Sequence, residues 1–346
     1  MKFKIKYPLA AFIVALNITS AIAQDNVLEY IKEYPRQEQF KIMNTWLGNN
    51  KIGTISFTGL VDPEAKKANV QASVDYGYTW FSISDSPAIV TVPKYDKFFS
   101  ISLYDMKHNV PGVIVNPTKP ILLVRPGQKV PKGEFNIVEL ETDQGLIITR
   151  MVVANNLSEV KQLRASIKME GGKADINYKV KKFSANTIKW GNSLIEASLK
   201  YVKAVYPKKS GEVDPITLAA VVKRARHGAP SDAVKYSVIV TDGNGQPLNG
   251  NDTYELTVPA NIVRKGGYMS ITVYGIDNKS LIPNEKKIYD RTSYSSIQNK
   301  NGTYTITLSP TGEGLNGIPT GKPFYAILRA YAPIEGADLK VIVNKK

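Results

Sequence analysis

The segment FYAILRAYAP, residues Phe324–Pro333, shows the alternation that decides the fold. In a β-strand, successive side chains point to opposite faces of the sheet. One face of this segment carries Ala326, Leu328 and Ala330, which are small or aliphatic. The other face carries tyrosine and arginine at alternate positions. We therefore predict a strand whose apolar face packs in a sheet core and whose polar face contacts a second domain or a ligand.

Strand patterns of this kind occupy two stretches of the chain. Residues 52–153 and 236–344 are rich in β-branched and aromatic residues and are interrupted by Gly, Pro, Asn and Asp. Residues 156–228 have helical periodicity instead. This order predicts a mostly β protein with a helical connecting segment and two β-sandwich, jelly-roll-like domains. The predicted N-terminal domain covers residues 24–155, the connecting segment 156–230 and the C-terminal domain 231–346.

The first 23 residues have the features of a signal peptide. Lys2, Lys4 and Lys6 precede the apolar run LAAFIVAL, and the small-residue motif AIA follows at residues 21–23. The run is too short to span a bilayer comfortably, and no later stretch is apolar enough to form a transmembrane segment. We predict cleavage near Ala23 and an exported chain, either periplasmic or secreted. Because the sequence contains no cysteine, stability after export must come from packing without disulfides.

The chain is basic, with a formal net charge of +15. Removal of the three lysines of the signal segment would leave +12, and this charge is dispersed along the sequence. Two interpretations remain open, namely solvated lysines on the surface and contact with an anionic component of the cell envelope. A nucleic-acid partner is not expected, because no recognisable nucleic-acid-binding motif is present.

Several local patterns predict particular helix and strand features. Ser158 is predicted to cap the helix that follows it, and Asp214 is predicted to cap a helix with Pro215 at its first position. A broad apolar face that includes Ile188 and Leu194 is predicted for the intervening helix. Residues 236–259 are predicted to form a β-hairpin with a polar connection rich in Gly and Asn.

Several longer segments match a known order of motifs. In the first half these are EYP at residues 33–35, VDYGYTWFSISDSPAIVTVPKYDKFFSISLYDMKHNV at 74–110 and LIITRMVVANNLSEVKQLRASI at 146–167. In the second half they are DGNGQPLNGNDTYELTVP at 242–259, GYMSITVYGIDNKSLIPNE at 267–285, NKNGTYTITLSP at 299–310 and LNGIPTGKPFYAILRAYAP at 315–333. With these segments the chain resembles a bacterial pair of families, the domain of unknown function 1254 (DUF1254) followed by the domain of unknown function 1214 (DUF1214). The resemblance implies export and paired β-sandwich domains, and it implies no particular activity.

Three positions depart from the pattern of these families. The stretch SVDYGY keeps Asp75 and Tyr78 but lacks the family's Asn, and Met269 stands where the families have Trp. Gly317-Ile318-Pro319 lacks the Trp that usually precedes Leu-Pro. If the missing aromatic side chains line a ligand cleft in the families, the cleft of this chain differs.

Candidate catalytic residues are few. Asp105 and His108 lie three residues apart near the end of a predicted strand, and they could be two metal ligands or an acid–base couple. Asp75 is a third candidate for a catalytic site. The sequence contains no Gly-x-Ser-x-Gly motif and no cysteine nucleophile. We predict no metal site, and the pattern indicates no particular cofactor. His227 ends a basic helix, where a cation would favour the helix dipole.

Aromatic and cationic residues on predicted strands are the candidates for ligand binding. They are Tyr78, Tyr104, Arg125, Arg150, Tyr274, Tyr325, Arg329 and Tyr331. Two hypotheses follow. The first is an envelope protein that binds a polar or anionic small molecule at the junction of two sandwiches. The alternative is a hydrolase that acts on an envelope or imported substrate through Asp75, Tyr104, Asp105 or His108.

Overall fold

The computed structural model describes residues 21–154 and 156–346. Residues 1–20, which make up most of the predicted signal peptide, lie outside this range. The described chain is mostly β and contains four sheets and four α-helices. The sheets form two pairs, and each pair encloses its own apolar core. The predicted fold class of two β-sandwiches with helices between them is therefore confirmed, whereas the jelly-roll connectivity stays a prediction.

The first sandwich consists of a five-stranded and a four-stranded sheet. The five-stranded sheet is antiparallel, in the order β1 (Ser56–Gly59), β2 (Val74–Ser82), β8 (Gln144–Val152), β4 (Phe99–Asp105) and β5 (Gly112–Val115). The four-stranded sheet has the order β7 (Asn136–Glu139), β6 (Ile121–Val124), β3 (Ala88–Thr91) and β9 (Lys168–Glu170), and β6 and β7 are parallel. Phe81, Ile101 and Ile147 are among the side chains between the two sheets. Strand β9 lies beyond the predicted domain boundary at residue 155 and still pairs within this sandwich.

The second sandwich consists of two four-stranded sheets. One has the order β10 (Val234–Ile239), β16 (Phe324–Pro333), β12 (Val263–Gly275) and β13 (Asp290–Thr292). The other has the order β15 (Ile318–Pro319), β14 (Tyr304–Ser309), β11 (Tyr254–Val258) and β17 (Ile342–Lys345). Ala326, Leu328 and Ala330 lie in the core, as their alternation predicts. The hairpin predicted at residues 236–259 is wrong, because β10 pairs with β16 and β11 pairs with β14 and β17 in the opposite sheet.

The two sandwiches have the same strand connectivity. Strands β2 to β9 and β10 to β17 correspond one to one in chain order, and both sets place their members in the same sheet positions. The parallel pair β6–β7 of the first sandwich corresponds to the parallel pair β14–β15 of the second. Strand β1 is an addition at the edge of the first sandwich. A shared order of eight strands, including one parallel pair, indicates that the chain contains two versions of one structural unit.

Four helices connect and flank the sandwiches. They are α1 (Ala21–Leu47), α2 (Leu157–Ala165), α3 (Ala185–Ser198) and α4 (Pro215–Ala225). Helices α1, α3 and α4 pack together around Tyr30, Ile195 and Ala219. The C-terminal half of α1 covers one end of the outer face of the five-stranded sheet, where Met43 clusters with Trp80.

Helix capping follows the sequence at α4 but not at α2. The Asp214 side chain accepts a hydrogen bond from the backbone N–H of Thr217, and Pro215 occupies the first turn, as predicted. At α2 the cap is Asn156, whose side chain accepts from the N–H of Glu159, so the prediction of Ser158 is wrong. The predicted apolar face of α3 is also partly wrong, since Ile188 and Leu194 are exposed.

The second sandwich covers the other end of the outer face of the five-stranded sheet. Val74, Phe98 and Val152 of the first sandwich form an apolar cluster with Tyr268 and Tyr331 of the second. The outer face is thus covered by α1 at one end and by the second sandwich at the other. The candidate site lies between these two contacts.

Candidate ligand site at the junction of the two sandwiches

Equivalent rows of three side chains cross the two sheets that meet at the junction. On the five-stranded sheet, Tyr76, Arg150 and Ser100 are directly opposite one another on β2, β8 and β4. On the second sandwich, Tyr236, Arg329 and Ser270 are directly opposite one another on β10, β16 and β12. Since these strands correspond between the sandwiches, each structural unit contributes one row of tyrosine, arginine and serine. We call the two rows together the tyrosine–arginine junction.

Arg150 is held by neutral oxygen acceptors. Its Nη1 donates to Ser102 Oγ at 2.7 Å, and its Nη2 donates to the His227 carbonyl at 3.3 Å and to Tyr104 Oη at 3.5 Å. A guanidinium has five N–H donors, so two of them keep no acceptor among the described residues. Arg150 forms no ion pair in the described part of the chain and is only partly exposed.

Arg329 has a similar environment and is 3% exposed. Its Nη1 donates to Gln71 Oε1 and to Thr272 Oγ1, both at 3.2 Å, and its Nη2 donates to the Asn69 carbonyl at 2.9 Å. The bond to Thr272 repeats the bond of Arg150 to Ser102, since both acceptors lie two residues beyond the serine of their row. No carboxylate of the described residues forms an ion pair with Arg329. Burial of a charge is unfavourable unless a partner compensates it.

Asp290 is the acidic group that influences Arg329 from nearby. Its Oδ2 accepts from Gln71 Nε2 and from Ser73 Oγ, each at 2.7 Å. Gln71 therefore lies between the two charges, because its Oε1 accepts from Arg329. Burial raises the pKa of Asp290 to about 6, while hydrogen bonds from Ser73 and the charge of Arg329 oppose this rise. Asp290 offsets part of the positive charge near Arg329. It forms no hydrogen bond or ion pair with Arg150.

Tyrosine rings line the space around both guanidinium groups. Burial raises the pKa of Tyr331, and the charges of Arg329 and, to a smaller extent, Arg150 oppose this rise. The charges of both arginines therefore act on the Tyr331 hydroxyl, although the two arginines belong to different sandwiches. Tyr331 stacks on Tyr268 with ring centroids 4.5 Å apart. This pair fixes the wall of the junction at the contact between the sandwiches.

A second pair of tyrosines forms the rim near Arg329. The Arg329 guanidinium lies 5.5 Å from the ring centroid of Tyr274, a distance at which cation–π attraction operates. Tyr274 stacks on Tyr325 with centroids 5.4 Å apart and donates to the Val70 carbonyl at 2.7 Å. Tyr325 donates to Asn69 Oδ1 at 2.5 Å. These bonds attach the second sandwich to the segment that precedes β2.

Tyr78 and Tyr104 lie at the other end of the junction. Tyr78 stacks on Tyr76 with centroids 6.1 Å apart, and burial raises the pKa of Tyr78. Tyr104 is buried, and its hydroxyl contacts the carbonyls of His227 and Gly228 at 2.8 and 2.9 Å. Tyr104 thus holds the segment after α4 against the sheet, beside Arg150.

A cavity of about 530 Å³ adjoins the junction on the side of Tyr236. It is lined by residues 204–206, 229–231, 234–236, 337 and 339. Tyr236 is 48% exposed and its ring centroid lies 6.0 Å from the Arg329 guanidinium, so this side chain belongs to both the cavity and the junction. The volume falls within the range of about 300–1,000 Å³ that is usual for small-molecule sites.

Asp75 does not lie near the other two catalytic candidates, Asp105 and His108. Asp75 lies on the core-facing side of β2, where its Oδ2 pairs with Arg164 Nη1 at 2.6 Å. Burial raises the pKa of Asp75 in spite of this pairing. Asp105 is at the far end of the same sheet, since Asp75 is opposite Met151 and Asp105 is opposite Gly145 on β8. Asp105 accepts from the N–H groups of Lys107 and Asn109, and it therefore orders the turn after β4.

The two histidine rings pack against each other, and His108 is buried while His227 is half-buried. Their rings are perpendicular with centroids 5.2 Å apart, and Tyr104 packs on both. Burial lowers the pKa of His108 to about 3 and that of His227 well below its usual value. The prediction that His227 acts as a cation at a helix end is therefore wrong, because its lowered pKa favours the neutral ring at pH 7. Its Nε2 lies 2.8 Å from Gln39 Oε1.

Arg125 lies outside the junction. It follows β6 in the other sheet of the first sandwich and pairs with Asp143 at 2.5 Å. Among the residues that the structure describes, no group of three or more His, Cys, Asp or Glu side chains is arranged to hold a metal ion. The same residues include no helix that is both long and apolar enough to cross a membrane.

Two of the three departures from the family pattern lie at buried positions of the second sandwich. Met269 is in its core, and Gly317, at the position of the missing Trp, is also buried. Neither position belongs to the two rows, so these two differences leave the tyrosines and arginines of the junction unchanged.

The sequence analysis predicted the arginine of each row, Arg150 and Arg329, as a site residue. It did not predict the tyrosines beside them, Tyr76 and Tyr236. Tyr76 lies two residues before Tyr78 on the same face, and strand alternation could have identified it. Tyr236 could have been identified only with the pairing of β10 and β16. Gln71 and Asp290 had no local signal, since their contact joins residues that are 219 positions apart.

Comparisons with known proteins agree with the resemblance. Residues 54–171 match the family described as "Protein of unknown function (DUF1254)", and residues 233–335 match "Protein of unknown function (DUF1214)". No curated protein matches the chain.

Two crystal structures show the same fold. The VPA0106 protein from Vibrio parahaemolyticus is 17% identical, with a TM-score of 0.75 over 94% of this chain and 100% of that one. An uncharacterised protein from Burkholderia cenocepacia is 12% identical, with a TM-score of 0.52 over 95% of this chain and 94% of that one. The chain therefore carries a DUF1254 region followed by a DUF1214 region, in that order along the sequence.

Proposed function

We propose that the protein binds an anionic small molecule in the tyrosine–arginine junction. The observation that carries the proposal is the pair of guanidinium groups on facing sheets, neither of which forms an ion pair with a carboxylate of the described residues. A guanidinium recognises carboxylate and phosphate groups through paired N–H donors. Arg150 and Arg329 each keep two donors without a protein acceptor, which supports a ligand that supplies the missing oxygens.

The side chains around the tyrosine–arginine junction favour a binding role over a catalytic one. The tyrosine rings provide flat apolar surfaces and hydroxyl groups, which suit a ligand with both apolar and polar parts. Asp75 lies at the opposite end of the sheet from Asp105 and His108. Asp105 and His108 share the turn after β4, but the ring nitrogens of His108 form no hydrogen bond with Asp105 or with any other described residue. The proposal therefore assigns the junction a binding role, with the cavity beside Tyr236 as the entrance.

We also propose that binding takes place outside the cytoplasm. The charged start, apolar run and small-residue motif at residues 1–23 support export. The domain limits 24–155, 156–230 and 231–346 stay part of this proposal, with β9 assigned to the first sandwich.

Mass spectrometry tests the binding role directly. Protein purified under native conditions after export is weighed intact and again after denaturation. We expect the native mass to exceed the denatured mass by one small ligand, and we expect Arg150→Met to lose this excess. Loss of charge-assisted hydrogen bonds worth about 2 kcal/mol weakens binding by roughly 30-fold.

Arg125→Met is the matched control, because Arg125 has an ordinary surface ion pair outside the junction. It should retain the ligand like the wild type. Equal native and denatured masses in the wild type, or equal loss in both variants, would contradict the proposal.

A further inference from the structure

Helix α3 exposes an apolar stripe beside its buried face. Its buried face consists of Thr187, Gly191 and Ile195, and Gly191 lies against the ring of Tyr30. The stripe consists of Trp190 and Leu194 with Tyr201 just beyond the helix end. These residues are 62%, 49% and 77% exposed. Trp190 and Leu194 are four positions apart and are therefore neighbours on one side of the helix, and Tyr201 lies in the turn that follows.

Lysines without acidic partners flank the stripe. Lys189, Lys200 and Lys203 are exposed, and none of them forms an ion pair within the described residues. The acidic residue of α3, Glu196, already pairs with Lys223 of α4 at 3.0 Å. The surface around the stripe therefore has a net positive charge.

The turn that carries Tyr201 is held to α4 by hydrogen bonds. Arg224 of α4 donates to the Leu199 carbonyl at 3.1 Å and also bonds to the Val202 carbonyl. Lys200 Nζ lies 4.8 Å from the Tyr201 ring centroid. The stripe and its lysines thus form one preformed surface.

We propose that this surface binds a lipid bilayer that carries anionic headgroups. Trp and Tyr prefer the boundary between headgroups and acyl chains, and nearby lysines are attracted to anionic lipids. Basic helices with an aromatic apolar side lie flat in such a boundary. Charge argues against a second copy of this chain as the partner, because each copy would bring the same lysines and a net positive charge, which is +12 after removal of the three lysines of the signal segment.

Vesicle binding tests the proposal. The purified chain is mixed with vesicles of phosphatidylcholine alone and with vesicles that also contain phosphatidylglycerol, and both are sedimented. We expect binding only to the anionic vesicles, with each lysine contributing roughly five-fold to the partition coefficient. The fluorescence of Trp190 should shift to the blue, because Trp80 is buried and Trp46 is partly buried already.

Variants test whether vesicle binding depends on the stripe and its lysines or only on the net positive charge of the chain. Trp190→Ala with Leu194→Ala should abolish most binding, and Lys189→Glu with Lys200→Glu should lower it by more than ten-fold. Ile137→Ala with Ile297→Ala is the control, since both residues are exposed apolar side chains elsewhere. Thermal unfolding checks that each variant is folded.

Three results would overturn the proposal. The first is a wild-type protein that stays in the supernatant when anionic vesicles are sedimented, and the second is a set of lysine variants that bind like the wild type. The third comes from sedimentation without vesicles, if the wild type is self-associated and the stripe variant is a smaller species. The last result would assign the stripe to contact between copies of the chain.

Discussion

Replacement of His108 by phenylalanine should make the protein less sensitive to acid. His108 is 2% exposed, and neither ring nitrogen has a hydrogen-bond partner among the described residues. Its contacts are the rings of Tyr104 and His227, which a phenyl ring can also make. Burial, with a smaller contribution from the charge of Arg226, lowers the pKa of His108 to about 3.

The expected magnitude follows from the difference in proton binding. An unfolded histidine has a pKa of about 6.5, so below this pH the unfolded chain binds a proton that the folded chain excludes. Stability is then lost as the pH falls below about 6.5, at roughly 1.4 kcal/mol per pH unit, until the folded pKa is reached. At pH 5 the loss from His108 is about 2 kcal/mol, whereas at pH 7 it is about 0.2 kcal/mol.

A comparison of two proteins at two pH values isolates this effect. Buried Asp105 and Asp290 have pKa values raised to about 6, and they contribute in the opposite direction as the pH falls. These contributions are common to the wild type and to His108→Phe, whereas any strain of phenylalanine at the left-handed backbone angle of φ 69° is the same at both pH values. Both cancel in the difference of differences.

Urea unfolding of both proteins at pH 7 and pH 5 is the assay. The free energy of unfolding of His108→Phe, relative to the wild type, should rise by about 2 kcal/mol between pH 7 and pH 5. A relative stability that is the same at both pH values would refute the reasoning, because it would mean that His108 is not held neutral in the folded protein.

Two further changes test the packing of the first sandwich. Arg164→Leu should lower the free energy of unfolding by about 2–3 kcal/mol, because it leaves buried Asp75 without its partner, and Asp75→Asn should restore part of the loss in the double variant; urea unfolding without a measurable change would contradict the buried pair. Asn156→Ala should cost about 1 kcal/mol through loss of the α2 cap while Ser158→Ala costs almost nothing, and equal melting temperatures of the two variants would show that Asn156 is not the cap.

The sequence predicts those features that depend on local alternation. The segment around Arg329 alternates so regularly that its core face and its polar face were both identified, and Asp214 with Pro215 marked the start of α4. Asn156 and Ser158 are both good caps in isolation, and the choice between them depends on where the chain leaves β8. The pairing partners of β10 and β11 are likewise set by the sandwich as a whole.

In the candidate site, too, local patterns predict some residues but not how these residues come together. Arg150, Arg329 and Tyr331 were identified because they interrupt apolar strands. Their common location results from contacts that local patterns do not encode, such as the bond of Asn69 to Arg329 across 260 positions. The sequence predicts His227 as a cation at a helix end and His108 as a candidate beyond a strand, and it does not predict that the two rings meet. In the structure both residues have a left-handed backbone conformation, and both rings pack on Tyr104.

The location of a bound anion tests the central claim most directly. Protein that has been unfolded and refolded, and has thereby lost any resident ligand, is crystallised with sodium selenate, and the anomalous signal of selenium is mapped. The account predicts a peak in the tyrosine–arginine junction, with selenate oxygens about 2.7–2.9 Å from guanidinium nitrogens of Arg150 or Arg329. Selenate bound only at surface lysines, with the junction closed or filled by water alone, would contradict the claim.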